Sequence, residues 1–113
     1  MEQYEVHRTL GPGLMESTYL RCLCKELDLR RVEYKKELVV PIVYKGEQLE
    51  EHYRLDLMVD DVLVVELKTV PGLLPIHQAQ VLIYLKLMNR RLGLLINFHT
   101  PILAKWIKRL VNG

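Results

Sequence analysis

The 113-residue sequence predicts an α/β fold: a mixed sheet with a strand meander and a crossover helix, flanked by helices. Three observations carry the expectation. An amphipathic helical repeat comes early, three β-type runs separated by turn residues follow, and a second helical stretch divides the third run from a short apolar one. A helix in that last position is a crossover, so the strands it joins run parallel.

Residues 1–10 read as a short helix, stopped by the sharp joint Gly11-Pro12-Gly13. From Leu14 to about Leu29, apolar Leu14, Met15, Tyr19, Cys22, Leu23 and Leu27 recur at helical spacing, and Arg30-Arg31 in the last turn complements the helix dipole. Glu37 to Tyr44 is β-branched and reads as the first strand, Lys45-Gly46 as a turn, Glu50 to Val59 as the second strand and Val62 to Lys68 as the third. Val70-Pro71-Gly72 breaks the chain before a helix from Leu74 to Asn89, apolar around most of its circumference as suits packing across a sheet. Leu92 to Phe98 is a short buried strand ended by Thr100-Pro101. The stretch from Lys105 to Asn112 reads both ways: Trp106, Ile107, Leu110 and Val111 fit a helix, whereas Ile107, Arg109 and Val111 alternate as a strand, which is the expectation adopted.

This length suits a single domain over residues 1–113, with a core but little room for a second module. No apolar run reaches the roughly 18 residues that span a bilayer, and no secretory leader opens the chain, so a cytoplasmic location is expected. Cys22 and Cys24 fall about 200° apart around a helix axis, which suits two separate thiols rather than a bridge or a shared metal. The net charge of +2 does not by itself announce a nucleic-acid binder. Its distribution says more: basic residues gather at Arg30-Arg31 with Lys35-Lys36, at Arg90-Arg91, and at Lys105, Lys108 and Arg109. They would either flank a phosphate-backbone track around an acidic pocket or be solvated helix ends and strand edges.

The acidic pocket comes from the strands themselves. By alternation Val62, Val64, Glu66 and Lys68 share one face of the third strand, opposite Leu63, Val65 and Leu67; on the second strand Arg54, Asp56 and Met58 oppose Tyr53, Leu55, Leu57 and Val59. Charges buried on a strand cost several kcal/mol unless compensated, and two acids with one amine invite a hard metal ion. The turn between the strands decides whether the acids meet. A two-residue turn at Asp60-Asp61 would pair Asp56 with Val65 and part the carboxylates. An odd connection such as Asp60-Asp61-Val62, or an added bulge, would pair Asp56 with Glu66, and this register is expected on chemical grounds.

Asp56 followed by Glu66-Leu67-Lys68 on the next strand resembles the PD-(D/E)XK nuclease superfamily, with Leu55 in place of the usual proline. Gly13-Leu14-Met15-Glu16-Ser17-Thr18-Tyr19 is similar to the motif that names its GxxExxY group. Further matches are Tyr53-Arg54-x-Asp56, His77-x-Ala79-Gln80, Tyr84-Leu85-Lys86 and Leu94-Leu95-Ile96-Asn97-Phe98, so the likeness runs from about Val6 to Gly113. Similar proteins carry a longer first helix ahead of Val6-His7.

That resemblance implies a restriction-endonuclease-like core and a metal-dependent nuclease hydrolysing phosphodiester bonds of DNA or RNA, DNA ahead of RNA. It implies Mg²⁺ or Mn²⁺ held by Asp56, Glu66, the backbone carbonyl of Leu67 and Glu16, with Lys68 orienting or activating the attacking water. Gln80 and Tyr84, which share a helix face with His77, look like the Gln-x-x-x-Tyr signature of the RecB-like branch that lines the site; with His77 and Arg54 they would contact nucleic acid. The small size suggests a homodimer.

Plainer readings stand beside these roles. Glu16 also suits a helix first turn, Tyr19 suits core packing, His77 suits a solvated helix start, and Glu66 with Lys68 suits a structural ion pair. For the whole chain the alternatives are a non-catalytic nucleic-acid- or protein-binding module on the same fold, and a structural domain with surface ion pairs.

Overall fold

The computed structural model describes residues 16–99 and 107–113. The elements run α1 (Glu16–Leu29), β1 (Tyr34–Tyr44), β2 (Glu47–Val59), β3 (Leu63–Lys68), α2 (Pro75–Met88), β4 (Leu92–Asn97) and β5 (Ile107–Val111). They form one five-stranded sheet in the order β1-β2-β3-β4-β5, antiparallel except for the parallel β3–β4 pair that α2 connects. This is the mixed α/β sheet the sequence predicts. The helix expected over residues 1–10, the joint at Gly11-Pro12-Gly13 and Trp106 lie outside the described residues.

The hairpin β1–β2 is longer than its sequence suggests, because the flanking polar residues at both ends still pair. Lys45 and Gly46 both take left-handed φ, 50° and 81°, and so form the two-residue turn that matches strand twist. The ambiguous last stretch is strand: β5 pairs antiparallel with β4, where an isolated five-residue helix would have had little to support it.

Among the described residues each face of the sheet carries one helix. Tyr19, Leu20, Leu23, Cys24 and Leu27 of α1 pack on Leu57, Val65, Leu67, Leu94, Ile96 and Phe98. Val81, Tyr84 and Leu85 of α2 pack on Val40, Leu55, Met58, Val64 and Leu95. Gly93 lets α2 approach β4 closely; a Cβ there would lie 2.9 Å from Val81 Cγ1. Cys22 and Cys24 are free thiols on α1. Among the described residues no helix is long and apolar enough to cross a membrane.

One sequence expectation fails here. Leu55 and Leu57, two apart on β2, should share a face, yet Leu57 packs beneath α1 and Leu55 beneath α2. Strand β1 makes the same change: Tyr34 lies on the α1 side, Leu38 and Val40 on the α2 side. The ladder runs Lys36↔Leu57 and then Leu38↔Leu55, skipping Glu37 opposite Asp56, and Glu37 adopts a left-handed φ of 52°. That conformation rotates the strand out of simple alternation, and both partners change face together at the level of Asp56.

Candidate active site

The connection between β2 and β3 settles the register. Asp60 and Asp61 are left-handed, φ 52° and 55°, a conformation Asp tolerates better than most residues, and the Val62 amide donates to the Val59 carbonyl at 3.0 Å. Val59 then pairs with Leu63, so Val62 is an extra residue and the register is odd. Arg90, just after α2, fastens this turn: its Nε donates to the Asp61 carbonyl at 2.9 Å and an Nη to Asp61 Oδ1 at 2.8 Å.

The ladder proceeds through Met58↔Val64 to Leu57↔Val65, and its next step would place Asp56 opposite Glu66. There side chains replace the ladder. The Asp56 amide donates to Glu66 Oε1 at 2.7 Å, and the Leu67 amide donates to Asp56 Oδ2 at 2.8 Å. Each carboxylate thus accepts from the backbone of the opposite strand, bringing the acids together as the odd register requires.

Burial makes the pair electrostatically tense. Glu66 is 3% exposed, and desolvation, then the Asp56 charge, push its carboxyl up to about 8, against the opposing pull of the Asp56 amide and Lys68. Burial also raises Asp56, which the Leu67 amide and Lys68 partly offset, while Glu37 adds repulsion. Lys68, two residues along β3 from Glu66, acts on Asp56, Glu66 and Glu16 by charge alone; among the described residues it forms no direct ion pair.

Glu16, the first residue of α1, is raised chiefly by burial and feels Lys68, Asp56, the Thr69 backbone and His77. It is therefore both a first-turn acid and a member of this electrostatic group. The helix carrying it is anchored by Tyr19, fully buried and stacked on Phe98 with ring centroids 4.0 Å apart. Tyr19 is core packing.

From α2, Tyr84 sits beneath the acids. Burial, and then the Glu66 and Asp56 charges, push its hydroxyl up to about 12, while a hydrogen bond with Gln80 one turn earlier opposes the rise. His77 is tied to the helix start: its Nδ1 accepts from the Leu74 amide at 2.9 Å, supplying the cap that the Leu74 side chain cannot. In the neutral ring this leaves the proton on Nε2. Arg54 is exposed, pairs with Val39, and lies between Tyr53 and Leu55, which turn toward α2; it is therefore on the other surface of the hairpin.

Two contributors carry no assigned role in the sequence reading. Asn97 is fully buried at the end of β4; its Oδ1 accepts from the Val70 and His99 amides at 3.0 and 3.2 Å, and its Nδ2 donates to the Val70 carbonyl at 2.7 Å. It fixes the chain leaving Lys68, and the signal for it was an amide interrupting an apolar run. Tyr53, exposed by 41%, meets Tyr84 edge-on.

Of the basic clusters, Arg90-Arg91 lies toward the other end of β3 from Lys68, and Lys105 lies outside the described residues. Arg90 is engaged with Asp61, Arg30 pairs with Glu26, and Arg90-Arg91 precede β4 beside the start of β3. Lys68 ends β3, roughly 16 Å away at strand rise. An open groove lined by Asp28, Arg31, Tyr34, Lys35 and Asp61 also lies at the β2–β3 turn and includes none of Asp56, Glu66 and Glu16.

Donor chemistry tests the expected metal. Carboxylates driven toward their neutral forms by burial and mutual repulsion are those a divalent cation would return to the ionised state, and carboxylate oxygen is what Mg²⁺ and Mn²⁺ take. The residues present fit such an ion. Among the described residues no three acid, histidine or cysteine groups already form a metal cage. The expected set of Asp56, Glu66 and Glu16 is thus not preassembled: one oxygen of each paired acid accepts a backbone amide, and Glu16 acts at longer range. Leu67 lies at the same level through its amide bond to Asp56.

Comparison with curated proteins and with solved structures finds no match. A family model does match, that of the PD-(D/E)XK nuclease superfamily, over residues 1–110, and it spans every element that builds the Asp56–Glu66–Lys68 arrangement. The chain belongs to the PD-(D/E)XK nuclease superfamily.

Proposed function

We propose that this protein is a metal-dependent nuclease of the GxxExxY group, hydrolysing phosphodiester bonds of DNA ahead of RNA, with residues 1–113 acting as one domain in a homodimer. The observation that carries the reading is the crosswise joining of Asp56 and Glu66 beside Lys68.

In this reading Asp56, Glu66 and the Leu67 carbonyl hold Mg²⁺ or Mn²⁺, with Glu16 completing the set directly or through water. When bound, such an ion would supply Lewis-acid polarisation of the scissile phosphoryl group. Lys68 orients the attacking water and offsets charge that builds on the phosphate. Tyr84, bonded to Gln80, braces the floor beneath the acids, and the Nε2 proton of His77 is available to a phosphate oxygen near Glu16. Arg54 contributes to substrate holding from the hairpin's other surface.

The test is incubation with single-stranded, duplex and branched DNA and with RNA, in Mg²⁺ or Mn²⁺, beside Glu66→Ala and Lys68→Ala. Metal-dependent cutting lost in both variants is expected. Binding without cutting in the wild type would favour the non-catalytic module, and neither activity would leave only a structural role. Sedimentation at several concentrations checks the dimer.

A further inference from the structure

The β2 strand brings a second aromatic ring to the acids. Tyr53 lies three residues before Asp56, and its ring centroid is 5.8 Å from that of Tyr84, with 62° between the planes. The two rings differ in access: Tyr84 is 2% exposed and Tyr53 41%. Tyr84 is held by the α2 core and by Gln80, so it is the fixed member. An edge-on contact steadies Tyr53 without stacking over it, leaving ring surface open to solvent.

The sheet does not close the approach to that ring. Strand β2 pairs with β3 over Leu57, Met58 and Val59, so its earlier residues, Tyr53 included, have no strand on that side among the described residues. A steadied aromatic surface of this kind is the chemistry that stacks nucleobases. Bases inside a duplex have both faces covered by their neighbours; an unpaired base does not.

We propose that Tyr53, braced by Tyr84, stacks an unpaired nucleobase of the substrate beside the Asp56–Glu66 pair and so selects single-stranded or frayed nucleic acid over closed duplex. This rests on the nuclease reading above and assigns its substrate class. The phenol oxygen is not required; the ring is.

The experiment uses the full chain and its Tyr53→Phe, Tyr53→Leu and Tyr53→Ala variants, each checked for folding by urea unfolding. A single-stranded oligonucleotide carrying 2-aminopurine is titrated without divalent metal, so that stacking is read as fluorescence quenching without cleavage. Cleavage of single-stranded and blunt duplex substrates in Mn²⁺ is measured in parallel. Phe should keep the quenching, whereas Leu and Ala should lose it, with single-strand affinity falling about 10- to 100-fold and the single-strand to duplex cleavage ratio falling with it. Wild-type quenching and affinity retained in folded Tyr53→Leu would overturn the stacking role while leaving the nuclease reading intact. Quenching lost in Leu and kept in Phe, from a wild type that cuts nothing in Mn²⁺, would uphold Tyr53 and defeat the hydrolytic reading instead.

Discussion

Asp56 and Glu66 are joined crosswise, each carboxylate accepting an amide from the other's strand, at 2.7 Å into Glu66 Oε1 and 2.8 Å into Asp56 Oδ2. The backbone bonds that would have continued the β2–β3 ladder are made by side chains instead, at the level where β1 and β2 change face. Both acids are thereby held close enough for each to feel the other's charge, and the consequences are measurable.

The metal-free protein should lose stability as pH rises. The Glu66 carboxyl has an ordinary value of 4.5, taken for the unfolded chain, and is raised to about 8 when folded. Between those limits the unfolded chain binds fewer protons than the folded one, so the contribution is fully present below the lower value and lost as pH climbs through the upper. Urea unfolding in EDTA at pH 5 and pH 8.5 should differ by a few kcal/mol. Glu66→Gln should flatten the dependence, and Mn²⁺ should restore stability to the wild type at pH 8.5 but not to the variant.

Deleting Leu63 should separate the acids. With Asp60-Asp61-Val62 still forming the connection, Val59 meets Val64, and the count then sets Asp56 opposite Leu67 in place of Glu66. Mn²⁺ binding, read by calorimetry or electron paramagnetic resonance, should drop by at least about tenfold, an affinity loss of ~1.4 kcal/mol. Unchanged binding in a folded deletion variant would show that the register does not govern the site.

Asn97→Leu should destabilise the fold by about 2 kcal/mol, since the Val70 amide and carbonyl lose their buried partner. Because those bonds hold the chain just past Lys68, cleavage should fall further than the loss of folded protein explains. Activity normalised to the folded fraction is the check.

Glu37 offers a backbone test. Its left-handed φ of 52° suits glycine and opposes β-branched residues. Glu37→Gly should leave stability unchanged or raise it by up to about 1 kcal/mol, while Glu37→Val should lower it by about 1–2 kcal/mol. A tolerated valine would mean that β1 can alternate regularly and that the change of face is not needed to seat Asp56.

Much of this arrangement could be read from residue order. The helical repeat of Leu23 and Leu27, the run Val64-Val65 and the crossover at Val81 to Leu85 determined a mixed sheet flanked by helices, because periodic burial leaves few ways to cover both surfaces. That Asp56 and Glu66 should face each other was likewise expected, since a charge in a buried strand demands a partner. Only the tertiary structure decided how they meet. The odd connection Asp60-Asp61-Val62 was expected from the acids' chemistry, whereas the left-handed Glu37, which turns β1 and β2 over without shifting their register, is a local backbone choice that alternation counting cannot foresee. The ring of Tyr53 and the amide of Asn97 gain their places in the same way, through neighbours more than twenty residues distant in the chain.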